Sequence, residues 1–239
     1  MTGRPEPPVS IAALITRARH LSGFTVGELA RGAGVDIPKQ PRQTKGLVGT
    51  LVEWHLGADA KSRAAPDFTT LGVELKTLPL GATGRPREST FVCSLSLSGG
   101  ADMTWSTSRV RRKLARVLWV PVEADRGVPL ARRRIGRPRL WSPSPAEERA
   151  LQADWETLIE LVSRGDVDQI TGHLGHCLQV RPKAADARVR VRARDARGAP
   201  FAAPPRGFYL RAAFTARLFP VVGDRTVAPS ECRGDGSHQ

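Results

Sequence analysis

Apolar residues recur at helical spacing near the start of this chain. Ile11, Leu14, Ile15 and Ala18 form one stripe behind Ser10, a residue able to cap a helix running to about Leu21. Thr25 caps a second short helix holding Leu29 and Ala30, closed by Gly32 or Gly34. Leu47, Val48, Leu51 and Val52 set a third helix from Gly46 to Leu56. The pattern then changes to that of strands. Residues 67–80 read as strand, turn and strand, Thr90 to Leu97 as another strand, and the apolar run Val117 to Val122 as a buried one.

Between these last two, Ser106 is placed to cap a short basic helix through Lys113. Arg132 to Trp141 reads as a basic edge strand. Ser144, Pro145, Glu147 and Glu148 open a long helix to about Ser163, stopped by Gly165. Leu178 to Arg181 and Gly207 to Leu210 read as strands, and 212–218 as a short helix. Asp186 to Arg197 is charged and arginine-rich and reads as a mobile surface loop. Separated helices around a sheet-like middle predict an α/β or α+β architecture.

Charge adds a partner to this picture. The 239 residues carry 37 Lys and Arg against 23 Asp and Glu, a formal net charge of +14. Such an excess favours a polyanion, nucleic acid before membrane, although an arginine- and alanine-rich composition accounts for part of it. Three scattered cysteines, Cys93, Cys177 and Cys232, fit a reducing cytoplasm better than a disulfide framework. No stretch of about 18 apolar residues is present, so no membrane span is expected.

The chemistry concentrates in 66–76. Asp67 follows a proline, and Glu74-Leu75-Lys76 follows after a short spacer. In a strand, Val73 and Leu75 turn to a core while Glu74 and Lys76 share the other face. Two carboxylates suit a hard divalent cation, and a neighbouring ammonium suits the steering of a water onto a phosphodiester. Taken alone, the same residues also describe an ordinary exposed Glu–Lys pair, because short motifs recur by chance. Glu53, beside the apolar stripe of its helix, is a candidate third carboxylate. Lys113, amid Arg111, Arg112 and Arg116, is a candidate phosphate contact. His173, His176 and Cys177 are closely spaced but lack a nearby fourth zinc ligand. Tyr209, between Phe208 and Leu210, is expected to face outward from its strand.

Longer segments carry a resemblance. Leu21–Leu29, Lys45-Gly46, Leu51–Ala58, Asp67-Phe68, Leu71–Thr77, Gly84–Pro86, Thr90–Cys93, Lys113-Leu114, Arg116–Glu123, Leu140–Pro143, Gln179–Ala185 and Pro205–Leu210 together resemble the MutH family of DNA mismatch-repair endonucleases. That family is related to type II restriction enzymes of the PD-(D/E)xK fold, and the resemblance spans roughly 10–218. It implies a restriction-endonuclease-like central mixed β-sheet flanked by helices, with two arms forming a DNA-binding cleft. The endonuclease domain would occupy 1–222, and 223–239 would be a flexible tail.

The resemblance also implies Mg2+-dependent nicking of the unmethylated strand at GATC. Asp67 and Glu74 would hold the metal with support from Glu53, Lys76 would act on the water, and Lys113 would sit near the scissile phosphate. Lys45, Gly46, Phe91, Arg181, Pro182, Lys183 and Tyr209 match DNA-contacting positions, with Tyr209 near the adenine methyl position. The implied partners are double-stranded DNA and the ATPase MutL, with MutS acting through it; the chain itself would be monomeric. A stand-alone restriction enzyme making double-strand breaks and an inert DNA-binding adaptor are the alternatives. Residues 173–177 and 188–197 depart from the family pattern.

Overall fold

Strand β3 (Val117–Glu123) is buried on both faces because its sequence is apolar at nearly every position. The computed structural model describes residues 3–40, 44, 46–60, 64–97, 104–183, 188–195 and 197–220. Within it, Val117 and Trp119 enter one hydrophobic core while Leu118, Val120 and Val122 enter a second. β1 (Glu74–Leu80) pairs with β3 in parallel, with Glu74 opposite Val117 and Lys76 opposite Trp119. β4 (Arg139–Trp141) closes the other side antiparallel. The result is a mixed sheet in the order β1-β3-β4, with β1 at an edge.

Helices α1 (Ile11–His20), α2 (Val26–Ala33) and α3 (Leu47–Leu56) cover one face of this sheet. Their starts follow their caps. Ser10 Oγ accepts from the Ala13 amide, and Thr25 and Glu28 form a reciprocal capping box. α3 begins behind Gly46, whose φ of 82° suits a residue without a Cβ.

The other face carries the larger core. A second sheet, antiparallel in the order β2-β8-β5, packs there: β2 (Thr90–Leu95), β8 (Arg206–Leu210) and β5 (Leu178–Pro182). With it lie α4 (Arg109–Leu114), α5 (Pro145–Ser163) and α6 (Ala212–Ala216). Ser144 and Glu147 form the capping box of α5, which buries Leu151, Trp155, Leu158 and Val162. Buried Asp154 on the same helix accepts the amides of His176 at 2.9 Å, Cys177 at 2.6 Å and Leu178 at 2.8 Å, fixing the entry to β5. Both expectations, an α/β architecture and a mixed sheet flanked by helices, hold.

Several elements differ from expectation. The first strand of 67–80 shrinks to a single bridge between Phe68 and Val73. The basic helix is capped by Ser108 instead of Ser106, which starts a turn later after the short 3-10 turn Trp105–Thr107. That register lets Val110 and Leu114 reach the core. Only the end of 132–141 is strand, since its earlier part bridges both Thr25 and Val122. Within 186–197, Val191–Arg194 forms β6, paired with β7 (Pro200–Ala203). Ala193 and Ala203 are buried, and small apolar side chains hidden among arginines explain why this stretch reads as loop. The tail 223–239 lies outside the described residues. Among the described residues no helix is long and apolar enough to cross a membrane.

Candidate active site

Glu74 lies on the β1 face that turns away from the core under α1–α3, toward the seam where α4 packs. It is 3% exposed, and both carboxylate oxygens are engaged. Lys76 Nζ donates to Oε1 at 2.7 Å and Lys113 Nζ donates to Oε2 at 2.7 Å. Two flanking positions of one strand face supply the first pair, as strand periodicity requires. The second joins β1 to α4. Lys113 Nζ also donates to the Ala65 carbonyl at 2.6 Å, which ties α4 to the segment leading into Asp67.

Asp67 is half-buried beside this set. Its Oδ2 accepts the Leu75 amide at 2.7 Å, so the strand backbone itself aims the carboxylate. Burial, and then the negative charge of Glu74, push its pKa up to about 6. The Leu75 amide, Lys113 and Lys76 pull in the other direction without overcoming them. A carboxylate left under-neutralised beside a second carboxylate is suited to a divalent cation. Two such groups fit a hard ion that keeps several of its waters. Glu53 stands half-buried on α3, which packs against β1. Among the described residues its carboxylate makes no hydrogen bond, and no group of three His, Cys, Asp or Glu side chains converges to hold a metal.

A second constellation lies on the exposed face of the β2-β8-β5 sheet. Phe91 pairs with Tyr209, their rings edge-to-face at 5.3 Å. Tyr209 is half-buried and turned outward as expected; burial raises its phenol above the ordinary value. The Arg181 guanidinium lies 5.9 Å from the Tyr209 ring centre and donates to Ser89 Oγ at 2.7 Å. Lys183 Nζ sits 3.7 Å from the Phe91 ring centre and donates to Ser94 Oγ at 3.1 Å. Pro182 ends β5 between them. Five of the seven candidate DNA-contacting residues are therefore gathered on one surface. Gly46 is at the start of α3, and Lys45 lies outside the described residues.

Three supporting residues were not singled out from the sequence. Ser89 and Ser94 orient the two cations and carry no motif. Gly207 lies under Phe91: a Cβ there would meet Phe91 Cε2 at 2.8 Å and the Cys93 carbonyl oxygen at 3.1 Å. Its signal was the glycine interrupting an otherwise bulky strand.

A mixed sheet flanked by helices, with Glu74 and Lys76 on its edge strand and Asp67 hydrogen-bonded to that strand's backbone, defines a restriction-endonuclease-like protein. The family model "DNA mismatch repair enzyme MutH" matches residues 56–154. DNA mismatch repair protein MutH of Salmonella paratyphi B is 54% identical over 212 residues, covering 89% of this chain and 92% of that protein. The Salmonella typhimurium protein of the same name matches to the same extent. That of Salmonella paratyphi A is 53% identical over 214 residues, 90% of this chain and 93% of its own. The chain belongs to the MutH family.

Proposed function

We propose that this protein is the Mg2+-dependent endonuclease of DNA mismatch repair that nicks the unmethylated strand at hemimethylated or unmethylated GATC sites. The observation that carries the reading is Glu74 held between two lysines beside an Asp67 whose proton affinity is raised. Asp67 and Glu74 are the metal anchors, supported by Glu53. When bound, the cation would supply a more acidic water and neutralise charge building on the phosphate.

The chain's own groups do the rest. Each oxygen of Glu74 accepts from one ammonium group and keeps a second lone pair, so a cation binding there shares the carboxylate with the lysines or displaces one, against their positive charge. Lys76 is the more accessible of the two, its side chain 15% exposed against 7% for Lys113. Released, it is free to orient the attacking water. Lys113 stays anchored by the Ala65 carbonyl, near the phosphate. Lys45, Gly46, Phe91, Arg181, Pro182, Lys183 and Tyr209 are the DNA-contacting set, borne on two arms of a cleft. Aromatic rings and forked cations on one rigid sheet suit contact with base edges and phosphates. The chain acts as a cytoplasmic monomer, activated by MutL and through it by MutS.

Incubating the protein and Mg2+ with unmethylated, hemimethylated and fully methylated GATC duplexes tests this. Cutting confined to unmethylated strands, and nicked circles accumulating before linear plasmid, is the expected outcome. Equal cutting of all three duplexes would remove methyl sensing. Linear product without a nicked precursor would favour a stand-alone restriction enzyme.

A further inference from the structure

The β6–β7 hairpin holds charge that lies outside the proposed DNA-contacting set. Residues 188–197 contain Arg188, Arg190, Arg192, Arg194 and Arg197 against one acid, Asp195. Strand register sorts them. Val191 and Ala193 face inward with Ala203, while Arg192 and Arg194 face solvent. Their partners across the hairpin are Ala202 and Pro200, which carry no charge. Asp195 turns its carboxylate to the tip, accepting the amides of Arg197 at 2.9 Å and Ala199 at 2.8 Å. Among the described residues neither Arg192 nor Arg194 has a carboxylate partner. Arg194 spends one N–H on the Gly198 carbonyl, at 2.8 Å.

The hairpin also adjoins the β2-β8-β5 sheet. The Arg194 amide donates to the Leu97 carbonyl at 3.2 Å, just past the end of β2, which carries Phe91 and Ser94. Ala193 and Ala203 join the core that lies beneath Val92, Leu95, Phe208 and Leu210. Hairpin and sheet therefore turn their polar faces away from one shared core. We infer that the outward face of β6, centred on Arg192 and Arg194, grips the sugar-phosphate backbone of duplex DNA flanking the recognition site. This rests on the DNA-cutting reading and extends its footprint. The contact carries no sequence information, because phosphates are the same at every step. A different role for these arginines, keeping an exposed strand from pairing with another copy, predicts self-association when they are removed.

The experiment compares wild type with Arg192→Ala, Arg192→Glu and the charge-preserving Arg192→Lys. Binding is measured against salt on two duplexes, one trimmed close to the site and one extended by about 20 base pairs on each side, roughly two helical turns. On the long duplex Arg192→Ala should weaken binding several-fold and lower the slope of log affinity against log salt by about 0.9, one phosphate contact. Arg192→Glu should lose more, and Arg192→Lys should keep the wild-type slope. On the short duplex all four should agree, and cleavage at saturating DNA should be unchanged. An unaltered slope on the long duplex, an equal loss on the short one, or self-association with wild-type DNA affinity would overturn the inference. If wild type binds and cuts while the variants match it, only the hairpin inference fails. If wild type binds neither duplex, the DNA-cutting reading fails with it.

Discussion

Lys113 and Glu74 stand 39 residues apart in the chain and meet at 2.7 Å, both side chains almost wholly buried. The pair clamps α4 onto β1, and the same ammonium reaches the Ala65 carbonyl just before Asp67. Removing it would leave Glu74 with one partner and the Asp67 segment without its tether. Lys113→Met should therefore cost about 3–5 kcal/mol, the usual result of breaking a buried ion pair from one side. Denaturant unfolding measures that loss. Lys113→Arg should recover part of the stability but little nicking, since a planar guanidinium cannot reproduce one ammonium reaching two acceptors.

In the proposed mechanism Lys76 and the cation both draw on Glu74, which Lys76 already holds at 2.7 Å. Lys76→Met should abolish strand cleavage while tightening binding of the metal roughly tenfold, the scale of one charge-assisted hydrogen bond. Calorimetric titration of Mg2+ into each protein reads the affinity. Unchanged or weaker binding in the variant would contradict the competition.

Asp67 makes the metal-free protein sensitive to pH. Its pKa is about 6 in the folded chain against an ordinary 3.8. The folded state thus holds this proton more tightly than the unfolded one. The resulting penalty is absent below about pH 4 and grows to full size as pH rises through 6. Each unit corresponds to about 1.4 kcal/mol, and solvent contact at a half-buried group screens the total to about 1–2 kcal/mol. Asp67→Asn should remove this loss, raising stability near pH 7.5 while ending cleavage. In wild type, metal affinity should fall as pH drops below 6, because the proton and the cation want the same oxygen.

Gly207 makes room for Phe91. A methyl there would press on the ring and on the rigid Cys93 carbonyl, a misfit of the kind that costs about 1–3 kcal/mol. Gly207→Ala should weaken duplex binding through displacement of Phe91 and Lys183, with kcat at saturating DNA near that of wild type. Fluorescence anisotropy on a labelled duplex reads the first, and single-turnover nicking the second.

Much of this arrangement was legible from residue order. Alternation placed Val73 and Leu75 inward and Glu74 and Lys76 together, and the capping signals at Ser10, Thr25 and Ser144 marked real helix starts. Contacts across the chain were not legible. That Lys113 would leave its basic run for a buried carboxylate depends on how α4 docks, which no local pattern encodes. The β6–β7 hairpin was hidden because its buried positions are alanines, whose weak apolar signal is swamped by the arginines between them. Ser89, Ser94 and Asp154 act through partners tens of residues away.

In the proposed active site Asp67 and Glu74 share one divalent ion. Titrating Mn2+, a paramagnetic substitute with a similar preference for oxygen ligands, into the protein–DNA complex and following free Mn2+ by electron paramagnetic resonance tests it directly. Wild type should remove Mn2+ from solution at a site that Asp67→Asn and Glu74→Gln each empty, with cleavage lost in step. Wild-type Mn2+ uptake and cleavage in either variant would contradict the account.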